Sequence, residues 1–67
     1  TSYISTAALD NGNVLIAYSD DGNFNYGTFV IYDNNGNQIK DETIFNSSAT
    51  SYISTAALDN GNVLIAY

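Results

Sequence analysis

Short apolar runs alternate along this chain with clusters of glycine, asparagine and aspartate. None of the runs keeps the period of 3.6 residues that a helix requires, and they are too short for typical helices. Runs of this length between turn residues are typical of β-strands. The pattern therefore predicts an all-β chain folded as a four-stranded antiparallel meander, with strands at residues 3–9, 14–18, 28–32 and 38–45.

Asparagine–glycine pairs separate the strands within each predicted hairpin. The first lies in the turn at residues 10–13, and the second is Asn35-Gly36, in the turn at residues 33–37. Such a pair between apolar runs is a strong hairpin signal, because a type I′ turn needs a positive φ at both central positions. The sequence thus predicts type I′ hairpins, with a longer polar loop at residues 19–27 between them.

The four strands differ in the side chains that they carry. Residues 5–8 of the first strand are small, so another backbone can approach closely, whereas the second and third strands are apolar on both faces. A strand has that composition when both of its faces are covered. The fourth strand carries Lys40, Asp41 and Glu42, which suit an exposed edge. This order predicts a β-propeller blade, with a crowded inner strand, sandwiched middle strands and a solvated outer strand.

An exact internal repeat supports the same architecture. Residues 1–18 and 50–67 are identical, which gives a period of 49 residues, and propeller blades have periods of about 40 to 50 residues. Residues 1–49 are predicted to form one complete blade, and residues 50–67 the first two strands of the next. Identity of this length indicates recent amplification or design, and the chain is expected to be part of a longer array or to associate with copies of itself.

The stretch AALDNGNVLIAYSDDGNFNYGTFVIYDNNGNQI resembles the repeats of about 50 residues in large secreted bacterial adhesin-like and hemolysin-type proteins. Tyr18 stands where these repeats often have tryptophan. The resemblance implies an integrin-like propeller used for adhesion and binding, in an extracellular location. It rests on turn glycines and strand apolar residues, namely Leu9, Gly12, Gly22, Gly27, Phe29, Tyr32, Asp33, Gly36 and Asn37.

Composition narrows the classes of function. The 67 residues include no cysteine and no histidine, and seven acidic residues stand against one lysine, for a net charge of −6. Phosphate backbones need basic residues to neutralise them, so nucleic acid and anionic membrane surfaces are not expected partners. No apolar run approaches the length of a membrane span. Without histidine or cysteine, the chain is not expected to be an enzyme.

The turn after the third strand offers a candidate calcium site. Oxygen ligands would fall at positions 1, 3, 5, 7 and 9 of a loop, which is a spacing that calcium loops use. However, the glycine is at position 4 and no glutamate follows at position 12, so the favoured interpretation is a hairpin without a metal or other cofactor. The candidate ligands are Asp33, Asn35, Asn37, the Ile39 carbonyl and Asp41.

The loop at residues 19–27 offers a candidate ligand-binding site. Carboxylates and amides beside aromatic rings suit a sugar, whose hydroxyls they bind and whose ring face they cover. The alternative is a solvated connector with Phe24 or Tyr26 folded back onto the blade. The candidate residues are Asp20, Asp21, Asn23, Phe24, Asn25 and Tyr26.

The sequence therefore predicts a structural, self-assembling repeat module that belongs to a highly symmetric propeller and has no catalytic activity. Two alternatives stay open. One is a multivalent carbohydrate-binding or adhesion module, in which glycans are the partners and each repeat adds a weak site. The other is an open β-rich filament, since contacts between unlike surfaces run on when their rotation does not close a ring.

Overall fold

The computed structural model describes residues 2–9 and 12–67, which form strands joined by tight turns. Short 3₁₀ turns occupy Asp21–Asn23 and Asp59–Gly61. Within the described ranges the strands, in chain order, are β1 (Ser2–Ala8), β2 (Val14–Asp20), β3 (Tyr26–Tyr32), β4 (Gln38–Ala49), β5 (Ser54–Ala57) and β6 (Val63–Ala66).

The first four strands form one antiparallel sheet in the order β1-β2-β3-β4. This confirms the predicted all-β fold and the four-stranded antiparallel meander. β4 is an edge strand, and its charged residues Lys40, Asp41 and Glu42 are exposed. An edge strand that carries charges resists pairing with a strand from another molecule.

β2, β3 and β4 extend beyond the apolar runs that predicted them, and β2 continues to Asp20 into the predicted loop. β3 begins at Tyr26 and β4 continues to Ala49. Residues 46–49, three of which are polar, therefore belong to a strand that the apolar pattern ended at residue 45. Tyr26 pairs with Ala49 and Gly27 with Asn46, across irregularities in the register. The backbone ladder needs no apolar side chains, which is why the hydrophobic pattern stops before the strand does.

The hairpin turns have a different geometry from the predicted one. The Asp33 N–H donates to the Asn37 carbonyl at 2.8 Å, and the Gly36 N–H donates to the Asp33 carbonyl at 3.1 Å. Gly36 has a φ of 87°, whereas neither of the two preceding asparagines has a positive φ. The type I′ prediction is therefore wrong here, because the connection is a three-residue loop with glycine at its left-handed position. That loop also matches the twist of the flanking strands.

Both copies of the repeat close their first hairpin in this way. The Leu58 N–H donates to the Asn62 carbonyl at 2.8 Å, and Gly61 has a φ of 75°. In the first copy, the Leu9 N–H donates to the Asn13 carbonyl at 2.8 Å, and Gly12 has a φ of 85°. The other two residues of that predicted turn, at positions 10 and 11, lie outside the described residues.

The second copy forms a separate two-stranded sheet of β5 and β6. This hairpin packs against one face of the first sheet, so the molecule has two layers. The core between them centres on Leu15, Ala17 and Ile53, which are all buried. The partly buried apolar residues around this centre are Leu9, Phe29, Ile31, Phe45, Val63 and Ile65.

Candidate functional site

The two sheet faces that meet in the core come from different positions of the same repeat. In the first sheet, Ala7 pairs with Leu15, and Ala17 lies on the same face two residues further on. In the hairpin, Thr55 pairs with Ile65 and Ala57 with Val63. We call the surface formed by Ala7, Leu15 and Ala17 the leucine face. Its equivalents in the second copy are Ala56, Leu64 and Ala66.

We call the opposite surface the isoleucine face. It is formed in the hairpin by Thr55, Ala57, Val63 and Ile65, and in the first copy by the equivalents Thr6, Ala8, Val14 and Ile16.

The contact inside the molecule therefore joins the leucine face of one copy to the isoleucine face of the next. Val63 and Ile65 of the hairpin pack against the cluster that contains Leu15 and Ala17. Because the two surfaces in contact differ, the arrangement is head-to-tail. Each copy thus keeps one further face that this contact does not use.

Equivalent residues of the two copies differ in how far they are exposed to solvent. Leu15 is 1% exposed in the core, whereas its equivalent Leu64 is 50% exposed on the outer side of the hairpin. Ile53 is 9% exposed in the core, whereas its equivalent Ile4 is 61% exposed. The same side chains are therefore core residues in one copy and surface residues in the other.

Polar contacts fix the register between the copies where β1 lies beside β5. The Ser5 and Thr55 hydroxyl oxygens are 2.9 Å apart, and the Thr55 backbone N–H donates to the Ser5 Oγ at 3.1 Å. Small side chains on β1 allow this approach, as the sequence predicted. The Ser5 hydroxyl also satisfies a strand N–H that has no ladder partner on that side.

Equivalent tyrosines stack at one end of this contact. The rings of Tyr3 and Tyr52 have centroids 5.1 Å apart and are tilted by 52°. Both residues have a φ of 54°, which is unusual for a bulky side chain. Because both copies adopt the same left-handed backbone, this conformation is a property of the repeat rather than of either terminus.

The loop between β2 and β3 is ordered by its own backbone. The Asp20 carboxylate accepts a hydrogen bond from the Gly22 N–H at 3.1 Å and caps the 3₁₀ turn. The Asn25 N–H donates to the Asp20 carbonyl at 2.9 Å. Phe24 and Asn25 follow with φ values of 56° and 59°. Two successive left-handed residues reverse the chain direction and bring it back into β3.

The six predicted ligand-binding residues of this loop do not converge on one site. Asp20 is engaged in the cap, and the Asp21 carboxylate lies 3.5 Å from the Ser2 hydroxyl. Phe24 is 78% exposed and its ring lies 5.7 Å from that of Tyr26. Asn23 is half-buried. The loop therefore presents an exposed aromatic ring, and Phe24 lies beside Tyr26, the first residue of β3.

A shallow cavity of about 240 Å³ lies beside the loop, where β4 passes into the second copy. Of the predicted residues only Asn25 lines it, and hydroxyl side chains make up most of the remaining wall. Sequence reasoning missed these hydroxyl residues because they come from distant segments without a local motif. The lining residues are Ser2, Tyr3, Ser19, Asn25, Ala49, Thr50 and Ser51.

Internal hydrogen bonds already use the buried hydroxyls near this cavity. The Ser19 hydroxyl donates to the Asn25 carbonyl at 3.2 Å, and the Thr50 hydroxyl donates to the Ser48 carbonyl at 2.8 Å. Thr50 Oγ1 also accepts from the Asn46 side-chain amide at 2.9 Å. In the part of the chain that the structure describes, no buried side-chain nitrogen or oxygen lacks a partner.

The predicted calcium loop is organised around the Asp33 carboxylate. Asp33 Oδ1 accepts hydrogen bonds from the Asn35 and Asn37 backbone N–H groups, each at 2.9 Å. The Asn37 N–H, followed by the other donors of the loop, lowers the pKa of Asp33. These contacts are those of a self-capped turn.

The remaining predicted calcium ligands lie on β4. Ile39 is 53% exposed, and the Asp41 carbonyl accepts from the Thr43 hydroxyl at 2.9 Å. Over residues 2–9 and 12–67, no group of three or more acidic, histidine or cysteine side chains is arranged to hold a metal ion.

A tyrosine–glutamate pair lies on the isoleucine face of the first sheet. The Tyr18 hydroxyl donates to the Glu42 carboxylate, which joins β2 to the charged edge strand. Burial and then this carboxylate raise the pKa of Tyr18 above its ordinary value. The raised pKa favours the neutral form of Tyr18, in which its hydroxyl is the donor.

The chain matches no protein-family model, and no curated protein or solved structure is significantly similar to it. Among the described residues there is also no apolar helix of sufficient length to span a membrane.

Proposed function

We propose that this chain is a structural, non-catalytic repeat module of the β-propeller type, whose sheets stack on identical neighbours. One observation carries the proposal. The second copy of the repeat, although only a hairpin, packs its isoleucine face on the leucine face of the first copy. Consecutive blades of a propeller are related in this head-to-tail manner, and each blade covers its neighbour.

The order of the strands supports the propeller assignment. β1 and β5, the first strands of the two copies, lie side by side with small residues and hydroxyl contacts between them. β4, the last strand, carries the charges on the opposite edge of the sheet. An inner ring of close, small strands and an outer ring of charged ones is the arrangement that a propeller requires.

The energetics support a role that depends on repetition. A single repeat of this type cannot bury both of its apolar faces, so stability comes from contacts between neighbouring repeats. The chain has no cysteine and no histidine, so neither disulfides nor a histidine metal site can replace those contacts. Copies of the repeat, in a longer array or in separate chains, are therefore the partners that the sequence favours.

The absence of catalysis in the proposal rests on the residue types. The chain has no histidine or cysteine and a single lysine. Of the two carboxylates in the loop, Asp20 caps the 3₁₀ turn and Asp21 is exposed. Acid–base work would need a carboxyl group whose pKa is raised by its surroundings.

A matched pair of substitutions tests the stacking. We expect Ile53→Ala to lower the free energy of unfolding by about 2 to 4 kcal/mol, as for a buried isoleucine. Ile4→Ala, at the same position of the repeat, should cost less than about 1 kcal/mol, because most of that side chain is already in water. The measurement is urea unfolding followed by circular dichroism at low micromolar concentration. Equal effects of the two substitutions would refute the stacked arrangement.

A carbohydrate-binding module is the second candidate, favoured by the exposure of Phe24. This ring is 78% exposed and its centroid lies 5.7 Å from that of Tyr26. The next residue, Asn25, lines the cavity that is walled mostly by hydroxyl side chains. A glycan array followed by calorimetric titration tests the idea. Binding that is lost on Phe24→Ala but kept on Ile39→Ala would support it, and no binding at millimolar sugar would exclude it.

A further inference from the structure

The stacking inside the molecule leaves two complementary faces open. The isoleucine face of the first sheet lies on the side away from the core. Ile4 there is 61% exposed, Thr6 and Ala8 are exposed, and Val14 and Ile16 are half-buried. The hairpin exposes its leucine face, where Leu64 is 50% exposed and Ala56 and Ala66 are exposed as well. These are the same two surfaces that pack together inside the molecule.

We propose that the open leucine face of the hairpin binds the open isoleucine face of the first sheet in a second copy of this chain. The inference rests on the proposed function and deepens it by naming the partner and the two surfaces. The internal contact is the template, since an identical sequence presents each face in both places. A second copy can therefore repeat the packing of Ile53, Val63 and Ile65 on Leu15 and Ala17 with its own Ile4, Val14 and Ile16.

Electrostatics favour these faces over the rest of the surface. Each chain carries a net charge of −6, so copies repel one another in general. The residues that define the two open faces are alanine, leucine, valine, isoleucine and threonine. The Glu42 carboxylate on the isoleucine side of the sheet is paired with the Tyr18 hydroxyl. Association through these faces is expected to strengthen as salt screens the net repulsion.

The proposed contact joins two different faces, and this determines how many copies can associate. Every chain has one open leucine face and one open isoleucine face, so each added copy offers a new site. Association continues beyond the dimer unless the rotation between copies closes a ring. We expect light scattering of the unmodified chain to show mass that rises with concentration, with either a ladder of species or one closed oligomer.

Complementary variants test the proposal. Ile4→Asp places a carboxylate on the isoleucine face, and Leu64→Asp places one on the hairpin's leucine face. Both positions are largely exposed within one chain, so the fold is expected to survive. Each variant alone should associate at least about tenfold more weakly than the unmodified chain, because burying an unpaired carboxylate is costly.

Mixing the two variants gives the decisive result. The Leu64→Asp chain keeps an intact isoleucine face, and the Ile4→Asp chain keeps an intact leucine face. The mixture should therefore form dimers that contain one chain of each kind and grow no further, visible by native mass spectrometry. Ile39→Asp is the matched control, since Ile39 is 53% exposed on β4 and has no equivalent in the hairpin. It should associate like the unmodified chain.

Several results would overturn the docking proposal. A monomeric unmodified chain would do so, as would single variants that still associate, which would indicate strand pairing at β6 or exchange of the hairpin between chains. Failure of the mixture to form dimers would also contradict it. The unfolding comparison of Ile53→Ala with Ile4→Ala reports on the internal stacking alone. If that comparison holds and the mixture fails, only the docking is wrong, whereas equal unfolding effects would refute the proposed function itself.

Discussion

Leucine at one position of the repeat occupies two environments in a single chain. Leu15 is 1% exposed and Leu64 is 50% exposed, although their local sequences are identical. Leu15→Ala and Leu64→Ala are therefore the same chemical change in the same strand context. Their difference in cost isolates the contribution of the layer that covers Leu15.

The magnitude follows from the area and the cavity. Leucine to alanine removes three carbons, worth about 2.4 kcal/mol at about 0.8 kcal/mol for each buried group. A cavity raises the cost at Leu15 to about 3 kcal/mol or more, since buried leucines replaced by alanine cost about 2.7 to 5 kcal/mol. At Leu64 half of the side chain is already in water, so we expect about 1 kcal/mol. The difference is about 2 kcal/mol, roughly 8 to 16 °C in melting temperature for a domain of this size.

Urea unfolding followed by circular dichroism measures both costs, at a concentration where light scattering shows no association. Leu15→Met is a second variant for the case in which the alanine variant does not fold, and it should cost less than about 1.5 kcal/mol. Equal costs for Leu15→Ala and Leu64→Ala would refute the reasoning, because the hairpin would then not cover the first sheet. At concentrations where copies associate, the cost of Leu64→Ala should rise toward that of Leu15→Ala.

Four further perturbations follow from local geometry. Gly27→Ala should destabilise the fold by more than about 1 kcal/mol, because a Cβ at that position would lie 2.6 Å from the Phe45 ring; unchanged urea unfolding would contradict the tight packing there. The pKa of Asp33 is lowered in the folded state, so its contribution to stability is present above the ordinary carboxyl pKa and is lost as pH falls through the folded-state pKa. Asp33→Asn should therefore flatten the acid side of a curve of stability against pH. An unaltered curve would refute this. The pKa of Tyr18 is raised in the folded state, so its contribution to stability is present below the ordinary tyrosine pKa of about 10 and is lost as pH rises above that value. Tyr18→Phe should therefore lose less stability at alkaline pH than the unmodified chain. An equal loss in both proteins would argue against this. Because its own loop already satisfies Asp33, added calcium should leave the melting temperature unchanged, and a rise that Asp33→Asn removes would establish a metal site.

Much of the fold could be predicted from local patterns. Short apolar runs between turn residues indicated the four strands of the meander, and the charges at residues 40–42 indicated which strand lies at an edge. The turn type was mispredicted, because an asparagine–glycine pair fits both a two-residue loop and the three-residue loop that ends at Gly36. The polar end of β4 was missed, since its pairing comes from the backbone alone.

The candidate site was less predictable. The pattern around Asp33 predicted a turn rich in side-chain oxygens and favoured a hairpin over a calcium site. Spacing alone cannot tell whether such oxygens face an ion or the N–H groups of their own turn. The residues from Asp20 to Tyr26 were grouped by their proximity in sequence. The structure gives Asp20 to a cap, exposes Phe24 and leaves only Asn25 at the cavity.

By itself, the sequence determined that this chain consists of strands, that the strands repeat, and that two of them are apolar on both faces. Only the tertiary structure decided which face of each copy is covered. Leu15 and Leu64 have the same neighbours along the chain, as do Ile53 and Ile4 over the identical segments. Local sequence therefore cannot distinguish the members of either pair. Burial depends on what lies above the sheet, and the second copy covers only one side of the first.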